Sequence, residues 1–203
     1  MRLNKLDYFD AIQASLENAK ELIEEAEILV NHDKIARAYT LFQFSIEEVG
    51  KASLIFNFVL RGDIENIVEI NSFKKSFRSH TTKTKISQGI DLIFALMSEK
   101  SDLTKKILEN WFVERDKVLI SNDYKNYSLY TSLIANKFLK PSEIITKEKL
   151  DHIAYFAKLR LQIADPFFRL GIENFDAIYE HRDNFNKEEV FSEGAKKIKE
   201  ILE

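Results

Sequence analysis

Residues 36–56 read ARAYTLFQFSIEEVGKASLIF, and the chain continues in the same vein to Leu60. Between Ala38 and Leu60 only Glu47, Glu48 and Lys51 are charged. Apolar side chains, among them Leu41, Phe42, Phe44, Ile46, Val49, Ile55 and Phe58, fall on nearly every side of a helix. A helix that is apolar all round is a buried, central one. The spacing predicts it over about 34–61, with Asp33 as its cap and Gly62 as its stop.

Outward from this segment the chain reads as further helices. Leu6, Phe9, Ile12, Leu16, Ala19, Ile23 and Ala26 recur at three- and four-residue steps and predict one helix over about 6–30. A short acidic piece (63–70) precedes a longer helix from about Asn71 to Leu96, with a break near Thr81-Thr82 left open. A fourth helix is expected over 102–121. From Asn122 to Thr146 no helical stripe is visible, and an irregular loop rich in tyrosine (Tyr124, Tyr127, Tyr130) is expected. Thr146 caps a fifth helix over about 147–164, ended by Asp165-Pro166. One or two tail helices follow, the last a charged, exposed amphipathic one over 187–203. The expectation is one all-α bundle of about six to eight helices.

Composition agrees. The 203 residues include only 5 Gly and 2 Pro. That is too few turn formers for a β-sandwich or barrel, and it argues against a Gly-rich nucleotide-binding fold. With no cysteine, disulfides, Cys-ligated metals and thiol nucleophiles are excluded. The start of the chain lacks a signal-peptide core, and no run of 18 apolar residues occurs, so a cytoplasmic protein without a membrane span is expected. The net charge of −3 confines any nucleic-acid contact to a local patch.

Three clusters carry chemistry. Glu47 and Glu48 lie four and three residues before Lys51, both contact spacings along a helix. Helical phase puts Glu47 on a stripe with Thr40, Gln43 and Lys51, which is polar. Glu48 shares a stripe with Leu41, Ser45, Ala52 and Ile55, which is largely apolar. Glu48 is therefore expected to be the buried carboxylate, with a partner from another helix. The plainer reading is a buried ion pair that fixes helix register.

The second cluster is basic. Between Asn71 and Lys85 lie Lys74, Lys75, Arg78, Lys83 and Lys85 with no acidic residue, and His80 among them continues the apolar face of Phe73 and Phe77. The cations suit phosphate, and an imidazole balanced between cations and a carboxylate suits proton exchange. The third cluster is Arg115, in phase with Trp111 and Leu108, followed by Lys125, Asn126, Tyr127 and Tyr130. These types stack on bases and bind phosphate, or pack the loop onto the bundle. No His pair at helical spacing suggests a metal, and no cofactor is expected.

The run EEAEIL (24–29), the element Ser45-Ile46-Glu47-Glu48-Val49-Gly50-Lys51, then Phe77-Arg78-Ser79-His80 with Lys83, and ERDKVLISNDYKNYSLYT (114–131) occur in that order. Together they resemble the AbiV family of bacterial abortive-infection proteins, a branch of the HEPN-like helical superfamily, over about residues 5–165. The resemblance implies a helical bundle, commonly a homodimer, in a phage-defence protein that arrests infected cells. The implied partners are RNA or the translation machinery and a phage-encoded protein trigger. Many HEPN proteins are metal-independent ribonucleases marked by Arg, four to six residues, then His. That signature is absent here: Arg78 stands two residues before His80, and Arg182 follows His181. The catalytic candidates are then Glu47, Glu48, Lys51, His80 and Lys83, with Glu48 orienting His80. The RNA-binding candidates are Lys74, Lys75, Arg78, Lys85, Arg115 and Tyr127. The alternative is a non-enzymatic helical module that captures a phage or host protein.

Overall fold

The computed structural model describes residues 3–114, 118–183 and 187–203, and their side chains except at 111–114, 118–121 and 187–191. Among the described residues ten helices and one hairpin form: α1 (Lys5–Asn31), α2 (Ile35–Arg61), α3 (Ile67–Arg78), α4 (His80–Met97), α5 (Asp102–Glu114), α6 (Val118–Leu129), β1 (Ser132–Ile134), β2 (Lys137–Leu139), α7 (Pro141–Ile144), α8 (Lys147–Glu173), α9 (Phe175–His181) and α10 (Lys187–Leu202). The all-α class holds. The count exceeds the expected six to eight in part because the region 64–97 divides at Ser79 and the segment 122–146 holds helical residues, including α7.

α2 is the central helix. It packs on α1, α4, α6 and α8, and its buried residues face all of them. One half of the core gathers Ile12, Leu16, Val49, Ile55, Phe56 and Phe168, the other Ile23, Phe42, Ile46, Leu150 and Phe156. Burying an aliphatic or aromatic side chain contributes roughly 1.5–3 kcal/mol, so this layer supplies most of the drive to fold.

Several local expectations are corrected. Asp33 does not cap α2: Lys34 takes the cap position without a side-chain bond. Asp33 instead adopts φ 56° in the tight reversal after α1, a conformation that Asp tolerates better than most residues. The break in the third region falls at Ser79, in extended conformation, whose hydroxyl accepts the Thr82 N–H at 3.2 Å and caps α4.

The tyrosine-rich segment is not an irregular loop. α6 continues to Leu129, and the antiparallel pair β1–β2 follows in the register Leu133↔Phe138. The helix escaped detection because part of its buried face is polar: Lys125 and Ser128 point into the bundle.

α8 also runs through Pro166 to Glu173. Proline there removes the bond to the Gln162 carbonyl, but both residues are exposed, and water can satisfy the freed oxygen. The charged tail does form α10, and it is not wholly exposed. Its Ile201 is buried against Ala95, Ile107 and Leu108, and Lys105 donates to the Leu202 carbonyl at 2.7 Å.

Candidate functional site

A polar seam runs down the central helix. Thr40, Gln43 and Glu47 of α2 are 2%, 1% and 3% exposed. Each finds a partner on α4 or α6. Thr40 Oγ1 pairs with Ser128 Oγ at 2.6 Å, and Gln43 Nε2 donates to Thr84 Oγ1 at 3.1 Å. Buried polar groups stabilise only when paired, so the seam fixes α4 and α6 in register on α2.

Glu47 ends the seam as its charged centre. Lys125 Nζ of α6 donates to its Oε1 at 2.9 Å. His80 Nδ1 lies 2.5 Å from its Oε2, and Lys83 Nζ lies 3.2 Å from the same oxygen. Burial pushes the Glu47 carboxyl up, but hydrogen bonds from Lys125 and His80 and the charges of Lys125 and Lys83 outweigh it. The group is held below the ordinary glutamate range. Glu47 is thus a carboxylate that accepts from Nδ1–H of His80. Lys83 and Lys125 are both 5% exposed, whereas the His80 side chain is 54% exposed. With Nδ1 engaged, Nε2 is the imidazole nitrogen left for chemistry at the surface.

Local sequence explains this placement. A β-carbon on Gly50 would overlap the carbonyl of Lys83, so only glycine lets α4 approach α2 this closely. The Ser79 cap starts α4 at His80, which puts Lys83 one turn on, under the same carboxylate.

The expected pairing of His80 with Glu48 is therefore corrected to Glu47. Glu48 is half-buried and bonds Lys51 at 2.5 Å, and Lys51 in turn sits 5.5 Å from the Phe77 ring centroid. The polar stripe of α2 faces α4 and α6 rather than solvent, which inverts the assignment made from helical phase. Lys74, Lys75, Arg78 and Lys85 are exposed on α3 and α4. Tyr127 is half-buried, edge-on to Tyr124 at 6.0 Å, and packs into the core. Arg115 lies outside the described residues.

Two features were missed in the sequence. Lys125 looked like a loop cation, and nothing in its neighbours marks it as buried. Asp91 and Arg160 form a second buried pair between α4 and α8. Arg160 Nη2 donates to Asp91 Oδ2 at 2.7 Å, Nε to Oδ1 at 2.9 Å, and Nη1 to Ser87 Oγ at 3.3 Å. Among the described residues no group of three His, Cys, Asp or Glu is placed to hold a metal ion, and no helix is long and apolar enough to cross a membrane.

The family model for AbiV, of the HEPN group, matches residues 7–162. The chain belongs to the AbiV family. No curated protein and no solved structure matches it. In this AbiV protein the match takes in Glu47, His80, Lys83 and Lys125 together, and it stops within α8, before α9 and α10.

Proposed function

We propose that this AbiV protein acts in abortive infection, as the family's name implies, and that it arrests the infected cell by cleaving RNA without a metal. The observation that carries the proposal is a surface imidazole held through Nδ1 by a buried, ionised carboxylate. Glu47 fixes the tautomer, so Nε2 presents its lone pair outward and takes the proton from a ribose 2′-hydroxyl. The 2′-oxygen attacks the adjacent phosphorus, the bond to the 5′-oxygen breaks, and that oxygen takes a proton from solvent. Glu47 also stabilises the imidazolium formed. Lys83 and Lys125 are bound to Glu47 rather than open to substrate, so in this scheme they are positioning residues. Arg78, Lys74, Lys75 and Lys85 supply the exposed cations for phosphate. The working form is a cytoplasmic homodimer released by a phage-encoded trigger.

Cells challenged with phage test the proposal. The wild-type chain should protect the culture, and folded His80→Ala and Glu47→Gln variants should not. Protection by His80→Ala equal to wild type would favour a second reading, a non-enzymatic module that captures a phage or host protein. That reading draws on one observation: among the described residues every buried side-chain nitrogen and oxygen is paired, as in a network that only specifies a fold.

A further inference from the structure

The β1–β2 hairpin carries an exposed apolar pair. Leu133 and Phe138 stand directly opposite in the ladder and are 61% and 79% exposed, and Tyr130 just before β1 is 65% exposed. Alternation sends Ile134 and Leu139 the other way, into the core around Tyr39 and Phe42. The hairpin is held at its start, and its end leads into the capped N-terminus of α7. Arg37 Nη1 donates to the Leu129 carbonyl at 3.1 Å, and the Lys140 N–H donates to Glu143 at 2.7 Å. It is a fixed platform with an aromatic on its outer face.

Its charge identifies what it meets. From Tyr124 to Lys140 the chain carries no acidic residue; Lys125 is buried on Glu47, whereas Lys137 and Lys140 are exposed. Lys137 pairs with Ile134 and so belongs to the face away from Phe138, but it is exposed at the turn end of the hairpin. Lys140 is exposed at the other end, and an exposed ring with a cation at each end fits a ligand with both flat π-faces and phosphates. A lipid surface would call for a larger apolar face than one Phe–Leu pair. The platform also follows directly on α6, whose Lys125 bonds Glu47, so one helix connects it to the Glu47 centre.

We infer that the hairpin is a stacking platform for unpaired RNA bases, with Phe138 as its main surface and Lys137 and Lys140 on the backbone. The inference rests on the RNA reading above and narrows its substrate to single strands.

The test measures anisotropy of a short fluorescent mixed-sequence RNA, single-stranded and as a duplex. The full chain carries His80→Ala so that the strand stays intact. Tight single-strand binding should weaken between about fivefold and about a hundredfold on adding Phe138→Ala, with duplex binding little changed. Phe138 is so exposed that its loss leaves the fold intact. Equal binding by the Phe138→Ala variant would overturn the platform while leaving the RNA reading in place. Absence of any RNA binding by the parent would overturn both. Binding to phosphatidylglycerol vesicles instead of RNA, or a Phe138→Ala dimer falling to monomer in light scattering, would make the hairpin a membrane or subunit contact and overturn the inference.

Discussion

The backbone of Lys83 rests on Gly50, so close that a β-carbon at residue 50 would overlap the Lys83 carbonyl. This contact sets the spacing of α2 and α4, and with it the reach of Lys83 and His80 to Glu47. Gly50→Ala should therefore destabilise the protein by about 1–3 kcal/mol, although alanine is the better helix former. Urea unfolding measures this. A gain in stability would show that the helices are free to move apart.

Among the described residues Glu47 is the carboxylate shared by two buried ammonium groups and an imidazole. Glu47→Ala removes the counterion those charges share and should cost about 3–5 kcal/mol. Glu48→Ala should cost about 1 kcal/mol or less, since its partner among the described residues is Lys51 of the same helix, which is half-buried. Equal costs in denaturant titrations would contradict the assignment of Glu47 as the centre.

Because the folded Glu47 carboxyl is held below its unfolded value, its contribution to stability is complete above the unfolded value of about 4.3. That contribution is lost as pH falls through the lower, folded value. Thermal melts of the wild type should fall on acidification through this range. In Glu47→Gln that part of the slope should be missing, and an unchanged profile would place the acid sensitivity elsewhere.

The Asp91–Arg160 pair ties α4 to α8 with both side chains buried. Removing one partner in Asp91→Ala should cost about 3–5 kcal/mol, whereas an apolar pair replacing both should recover most of it. A double-mutant cycle reads the coupling.

Ala135 sits at φ 49° in the hairpin turn, beside Asn136 at φ 62°. The left-handed region is costly for alanine and free for glycine. Ala135→Gly should therefore raise stability by up to about 1 kcal/mol, or a melting shift of about 2–4 °C. A lower melting temperature would contradict a strained turn.

Much of the fold was legible because its signal is apolar spacing. The stripe of α1 and the all-round apolarity of α2 gave those helices almost to the residue, and Thr146 caps α8 as its position implies. The failures at α6 and at Glu47 share one physical cause. Where buried faces are polar, periodicity points the wrong way. It hid the last turns of α6, whose inward residues are Lys125 and Ser128. It also sent Glu47 to solvent on the strength of Thr40 and Gln43, all three of which are buried. Pairing across helices decides such faces, and pairing is not written in the local sequence. The role of Gly50 belongs to the same class, since it depends on a backbone 33 residues further along the chain.

The most direct measurement is of RNA itself. Pure protein is incubated with total bacterial RNA and with tRNA in EDTA, beside His80→Ala and Glu47→Gln variants shown to be folded. The account predicts cleavage that persists in EDTA, disappears in His80→Ala, and falls by about 10²–10⁴-fold in Glu47→Gln. Cleavage by His80→Ala at the wild-type rate, or cleavage only when a metal ion is supplied, would contradict it.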